Sequence, residues 1–370
     1  MNPSWKASLI AATLAAGIAP AAAADPFDLD ALVAAARREP PINIYDSTGK
    51  IADMAKAFGA KYGVTAIGQK VKATAQLEMI IREAQSKNVR GDVSIVADVP
   101  AAVAQLIPRG FAASWLPPDL AGDIPATYRD PLIVVSSANV LTYNTKLFST
   151  CPVTNIWQLT EPRWTGRVAM QDPLGKANYT DWFNQMRTYK DDAIRAAYQK
   201  QYGKPLKTDK GSAAEAWVAA LAANAPLLTD ADAAAGQAVG APGQTEPFLG
   251  IVSTAKFRDN AAAGYALGIC AGVDPFIGFQ SASVGLITAG TNSPNAARLF
   301  LRYAMTAEGI APQAEDGKIS ANRTVALPAD EPSGIARLIG ETMPYNPATA
   351  LDDFDRRQDW QDFWRVAYRR

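Results

Sequence analysis

The sequence predicts an α/β chain folded as two domains, on three observations. Short β-rich runs alternate with helical periodicity from Ile42 to Leu106, the pattern of a largely parallel sheet covered by helices. The chain has 370 residues, more than one ordinary core accommodates. Strand-rich stretches near 142–146 and 274–283 read as crossings, which leave the first domain discontinuous and the second inserted into it.

The elements follow in order. Lys6, the apolar stretch Ala7–Ala19, and Ala22-Ala23-Ala24 before Asp25 read as a secretory signal over residues 1–24 with an A-x-A cleavage site. The stretch is short and alanine-rich for a membrane span, and no cysteine stands at the cleavage point to carry a lipid. Phe27, Leu29, Leu32 and Val33 predict a first helix reaching Arg38. Ile42–Tyr45 is β-rich, and Ile51, Met54, Phe58 and Tyr62 then repeat at helical spacing up to Gly63, a stop signal. Val64–Val71 predicts a strand and Ala75–Ser86 a helix with Leu77, Ile80, Ile81 and Ala84 inward. Asp92–Val96 is a third strand, and Val99–Leu106 a helix closed by Arg109-Gly110.

In the middle, Leu132–Val135 and Val140–Tyr143 read as two strands close together. A short helix from Trp157, a Trp-Thr-Gly-Arg turn and a strand come next, and helices dominate from Tyr179 to Asn224. Further strands are expected at Phe248–Val252, Tyr265–Ile269 and Ser283–Ile287, then a helix from Pro294 to Met305 after an Asn-Ser-Pro start. The tail, with Trp360, Phe363, Trp364 and Tyr368, reads as amphipathic helix whose aromatics pack onto the body. The expected division is lobe 1 over 25–143 and 276–345, lobe 2 over 144–275, and the tail over 346–370.

Composition narrows the function. The chain carries 36 Lys and Arg against 36 Asp and Glu, so there is no basic field of the kind nucleic acid needs. Histidine is absent, which excludes a Ser-His-Asp triad, a Cys-His pair and a His-based zinc site. Carboxylate-only hydrolysis stays chemically open, although no carboxylate pair stands out for it. The two cysteines, Cys151 and Cys270, read either as one disulfide of an oxidising compartment or as two buried thiols.

Five segments carry a resemblance. They are Ile44-Tyr45-Asp46-Ser47-Thr48, Arg90-Gly91-Asp92-Val93, Tyr143-Asn144-Thr145, the stretch from Trp164 to Pro173, and that from Ser293 to Gly309. In order and spacing the chain resembles the periplasmic substrate-binding proteins of ABC importers, in the group that receives ferric iron, phosphonates and sugar phosphates. The resemblance implies a two-lobed periplasmic-binding-protein fold of type II, each lobe a mixed sheet flanked by helices, with two hinge crossings. It implies a non-enzymatic monomer in the periplasm, without a cofactor, that binds a small solute and meets a membrane permease. The solute is expected to be a phosphonate, phosphate ester or carboxylate. Ferric iron with an anion is the alternative receptor reading, and a secreted carboxylate-dependent hydrolase the alternative of another class. The chain departs from the ferric receptors in lacking histidine and an adjacent tyrosine pair, and from the phosphonate receptors in having Lys72-Ala73-Thr74-Ala75-Gln76 where a Gly-Ser-Gly turn is usual.

Candidate contacts sit where strands give way to helices. Ser47, Thr48, Gly49 and Lys50 combine hydroxyls, helix-start N–H groups and a charge suited to an anion; plain capping is the alternative. Thr74 and Gln76 are further candidate contacts, Gln76 aimed into the cleft and Thr74 with capping of the next helix as its alternative. Ser137 and Asn139 lie between the crossover strands. Asp172, Asn178, Tyr179 and Thr180 follow a strand of the second lobe, and Phe276 on the return crossing could stack on a ligand or pack in the core.

Overall fold

The computed structural model describes residues 27–368; the predicted signal and the last two residues of the tail lie outside them. Apolar residues at alternate and successive positions make Ile42–Asp46 (β1), Ala66–Lys70 (β2) and Val93–Val96 (β3) a parallel trio in the order β2-β1-β3. All four residues of β3 are buried, as a strand covered on both faces requires. The Ile51–Tyr62 helix ends at Gly63 with φ 69°, the left-handed stop the sequence signalled. Gly91 is needed for contact: a Cβ there would stand 2.1 Å from the Tyr45 ring.

The remaining strands are Ala112–Ala113 (β4), Ile133–Asn144 (β5), Val168–Gln171 (β6), Leu227–Thr229 (β7), Leu249–Ser253 (β8), Leu267–Ile269 (β9), Gly278–Thr288 (β10) and Ile319–Ser320 (β11). They form one 11-stranded sheet whose main path is β2-β1-β3-β10-β5-β8-β6-β7. A second parallel trio, β8-β6-β7, mirrors the first, and the long antiparallel pair β5 and β10 runs between them. The expected pair of short strands at 132–143 is therefore one strand. Ser136, Ser137 and Asn139, expected between two strands either to line the cleft or to turn the chain, pair with β10 and stay extended. The helix expected from Trp157 is instead two 3₁₀ turns, Ile156–Thr160 and Pro162–Trp164, because Pro162 interrupts the helical ladder.

Two hydrophobic cores flank the centre. One runs from Ala36 to Val135 and resumes from Ala282 to Ala350. The other holds Ala138 to Phe279 and takes in Ile335, Met343, Trp360 and Trp364. The change of core falls inside β5, between Val135 and Ala138, earlier in the chain than residues 142–146; on the return it falls between Phe279 and Ala282. Gly278 opens the return strand with φ 155°, and a Cβ there would lie 2.0 Å from the Asn139 carbonyl oxygen. Cys151 and Cys270 are joined by a disulfide within the second lobe, with a Cα–Cα distance of 5.1 Å. As expected of the tail's aromatics, Trp360 and Trp364 are buried, Trp364 stacked on Phe183 at 5.8 Å. No helix among the described residues is long and apolar enough to cross a membrane.

Candidate ligand-binding cleft

Strand direction creates the cleft. Val96 at the end of β3 pairs with Val284, and Ser253 at the end of β8 pairs with Asn139. The carboxyl ends of both parallel trios thus converge on the crossing, where Ser137 pairs with Ser281. Loops at such strand ends are where open α/β sheets bind ligands.

One edge of the cleft is a groove of about 560 Å³, room for a small solute. The first lobe lines it with Ser47, Thr48, Gly49, Lys50, Lys70, Asp316 and Lys318. The second contributes Asp232, Ser253, Ala255, Lys256 and Arg258, and Ser137 comes from the crossing. Five cations therefore face two carboxylates. Arg258 is paired with Asp316 across the lobes at 2.6 Å, and Lys50 with the exposed Glu315 at 3.0 Å. Among the described residues, Lys70, Lys256 and Lys318 make no ion pair. The excess is positive.

Buried Asp46 organises the Ser47–Lys50 corner. Its Oδ1 accepts the Thr48 N–H at 3.2 Å and the Ser47 hydroxyl at 3.4 Å, and its Oδ2 accepts from Gln313 at 2.8 Å. Burial raises the Asp46 carboxyl above its usual range, while Lys318 and these donors pull it back. The Lys50 N–H donates to Thr48 Oγ1 at 3.3 Å. The N–H groups of Thr48 and Lys50 are thus satisfied inside the turn, so the corner offers hydroxyls and cationic side chains more than free backbone donors. Lys50, not Ser47 or Thr48, occupies the helix N-cap position.

The other edge is a much smaller pocket of about 30 Å³ lined by Asp98, Asn178, Asp181, Trp182, Gln185, Ser281 and Tyr345 among others. Asn178 and Asn139 both donate weakly to the Ser281 hydroxyl, at 3.3 and 3.4 Å. Arg357 closes this edge between Asp98 and Asp181, with nitrogen–oxygen distances of 2.6 and 2.8 Å.

The structure gathers Ser47, Thr48, Gly49, Lys50 and Ser137 on the basic edge, and Asn178 on the other. Several expected contacts lie elsewhere. Thr74 is not a cap: the helix starts at Ala73, two residues earlier than expected, with Lys72 at its N-cap. Gln76 is fully buried and donates to the Ile95 carbonyl at 3.4 Å, since its place in the helix faces the core. Asp172 accepts the Leu174 N–H at 2.9 Å and holds its own turn. Tyr179 is fully buried and donates to the Ile251 carbonyl at 3.3 Å; burial drives its phenol far above the usual range. The Thr180 hydroxyl bonds back to Ala177 at 2.8 Å. Phe276 packs against Trp182 in the second core, ring centroids 6.1 Å apart. Aromatic and polar residues one helical turn past a strand end rotate inward, and local sequence does not show which side of the turn meets the core.

Lys70, Asp232, Ser253, Lys256, Arg258, Asp316 and Lys318 were missed. The usable signal is positional: Lys70 ends β2, Ser253 ends β8, and Asp232 opens the helix after β7. Once both trios are parallel, every such end is a candidate.

Known proteins share the architecture. No curated protein matches the chain in sequence. Iron-bound HitA from Pseudomonas aeruginosa is similar in fold, with 16% identity, coverage of 89% of this chain and 99% of that one, and a TM-score of 0.63. Apo ferric ion-binding protein A from Pasteurella haemolytica shows 14% identity, 88% and 98% coverage, and a TM-score of 0.65. The substrate-binding protein of an ABC transporter from Agrobacterium tumefaciens shows 16%, 90% and 95%, and 0.65. At these identities the likeness establishes the two-lobed fold. The model of the bacterial extracellular solute-binding protein family matches residues 42–317, and with most of the chain inside that match, the chain belongs to this family.

Proposed function

We propose that the receptor captures a small anionic or zwitterionic solute, a phosphonate, phosphate ester or carboxylate, on the basic edge of its cleft. The observation that carries this reading is the excess of cations: Lys50, Lys70, Lys256, Arg258 and Lys318 against Asp232 and Asp316. A bound anion contacts both lobes there, so it favours the closed arrangement by its differential interactions. Ser47, Thr48 and Ser137 supply neutral donors beside the charges. The proposed setting is the periplasm, reached by a cleaved signal, with the protein acting as a monomer and passing solute to a permease without chemistry. The expected lobe division is kept as part of the proposal, with the first crossing at 136–137 rather than 142–146 and the return at 280–281, inside the expected 274–283, where the cores change.

Ferric iron, named for two of the similar structures, is the second reading. Against it, among the described residues, no three or more His, Cys, Asp or Glu side chains group as a metal site. Thermal-shift screening with phosphate, phosphonates, phosphate esters and dicarboxylates tests the proposal, because ligand bound only to the folded state raises the melting midpoint. The expected result is a rise with one of these anions that 0.5-fold dilution of the ligand reduces. A rise with ferric citrate and none with any iron-free anion would overturn it.

A further inference from the structure

The C-terminal segment joins the lobes a third time. After the last sheet strand, Met343 lies in the second core, Tyr345 and Ala350 in the first, and Trp360 and Trp364 in the second again. The segment is tied to the second lobe by polar contacts as well. Buried Asp353 accepts from Asn184 and Gln185, each at 2.8 Å, and both belong to the Ala177–Tyr189 helix.

Arg357 begins the Arg357–Ala367 helix and serves two carboxylates from different lobes. Its Nε and Nη2 donate to the two oxygens of Asp181, each at 2.8 Å. Its Nη2 and Nη1 donate to Asp98 at 2.6 and 3.2 Å. Asp98 is fixed to the first lobe, capping the turn that starts at Val99, a residue of the first core. Asp181 sits beside Tyr179 and Trp182 of the second core. The side chains of Arg357, Asp98 and Asp181 are only 14%, 13% and 9% exposed, so the contact is largely shielded from the solvent that would weaken it. The planar guanidinium fork is suited to span two carboxylates held at a fixed separation.

We propose that the C-terminal segment is a strap across the cleft and that Arg357–Asp98 is its latch, restraining how far the lobes separate. Opening along this edge must break the Arg357–Asp98 contact or lift the helix that carries Trp364 from the second core. Arg357 remains with Asp181 because both are anchored in the second lobe, so Asp98 is the point of release. The inference rests on this contact alone and holds whatever solute the cleft receives.

Electron-spin distance measurements on ligand-free full-length protein test it. Spin labels at Glu78→Cys in the first lobe and Asp192→Cys in the second report lobe separation; the native cysteines are bridged and take no label. Asp98→Asn keeps the cap, since Asn caps as well as Asp, and replaces a carboxylate oxygen with a donor facing the guanidinium. Arg357→Lys keeps the charge but loses the fork; it also provides the reading if Asp98→Asn fails to fold. The expected result is a shift of the distance distribution to longer separations in both variants, with the folded circular-dichroism spectrum retained. Distributions that superimpose on the wild type in the folded variants, with only a lower melting midpoint, would overturn the latch and leave the contact a local brace.

Discussion

Along one edge of the cleft, five cations and two carboxylates face an open groove; along the other, one arginine is closed between two carboxylates. The two edges use the same residue types and are separated by the paired serines 137 and 281. On the basic edge Lys70, Lys256 and Lys318 make no ion pair among the described residues, Arg258 is paired with Asp316, and the Lys50–Glu315 pair is exposed, 29% and 64%; exposed pairs of this kind contribute at most about 1 kcal/mol. On the Arg357 edge every charge has a partner at hydrogen-bond distance. Unpaired cations are available to an external anion, whereas matched buried charge holds parts of the protein together. On the two proposals above, ligand capture falls to the first edge and mechanical restraint to the second.

The sharpest test of that contrast is Arg357→Met. Removing one partner of a buried ionic group leaves the others uncompensated and costs about 3–5 kcal/mol, so the urea midpoint should fall steeply. A midpoint equal to wild type would make the Arg357 edge as soft as the basic one. Next in size, Lys318→Ala should weaken binding of the anion identified by screening roughly ten- to hundredfold by calorimetry, the loss of a charge-assisted bond of about 1.5–3 kcal/mol. Its urea midpoint should stay near wild type; lost stability with unchanged affinity would reverse the assignment.

The pH dependence separates the edges further. Burial pushes the Asp181 carboxyl up to about 7, with Arg357 opposing the rise and Asp98 and Asp353 adding to it. The native state therefore holds this proton more tightly than the unfolded state does. The stability from that proton is full below the ordinary aspartate value and is lost as pH rises through about 7. One such group changes stability by at most about 1.4 kcal/mol per pH unit. Asp181→Asn should flatten the slope of stability between pH 4 and 7, by urea titration at each pH; an unchanged slope would remove Asp181 as its source. Smallest of all, Lys50→Ala breaks the pair with Glu315, whose side chains are 29% and 64% exposed, and should cost stability only about 0.2–1 kcal/mol. A loss as large as that of Arg357→Met would erase the difference between the edges.

Much of the fold was readable because it depends on local patterns. The spacing of Ile51, Met54, Phe58 and Tyr62 with Gly63 behind them marked a helix and its end, and the structure places both within a residue. The corner Ser47–Lys50 was readable because a strand end followed by a helix start is local too. The β5 crossing was not, since Ser136, Ser137 and Asn139 fit either a cleft lining or a turn until β10 supplies partners for them. The same limit explains Tyr179, Thr180 and Phe276. Their positions near strand ends were legible, but the direction of each side chain depends on packing against Ile251, Ala177 and Trp182.

The sequence by itself determined the alternating α/β architecture, the absence of histidine chemistry and the Ser47–Lys50 part of the basic corner. Each follows from composition or from periodicities of a few residues, which are set by backbone geometry. Only the tertiary structure decided the rest of the cleft. Lys70, the neighbouring Lys256 and Arg258, and Lys318 come from three distant parts of the chain and meet because both strand trios end at the same crossing. Arg357 reaches Asp98 and Asp181 for a similar reason: the tail is pinned by Trp364 in the second core and by Ala350 in the first. Such meetings are fixed by which apolar faces bury together, and burial is a property of the assembled fold rather than of any segment.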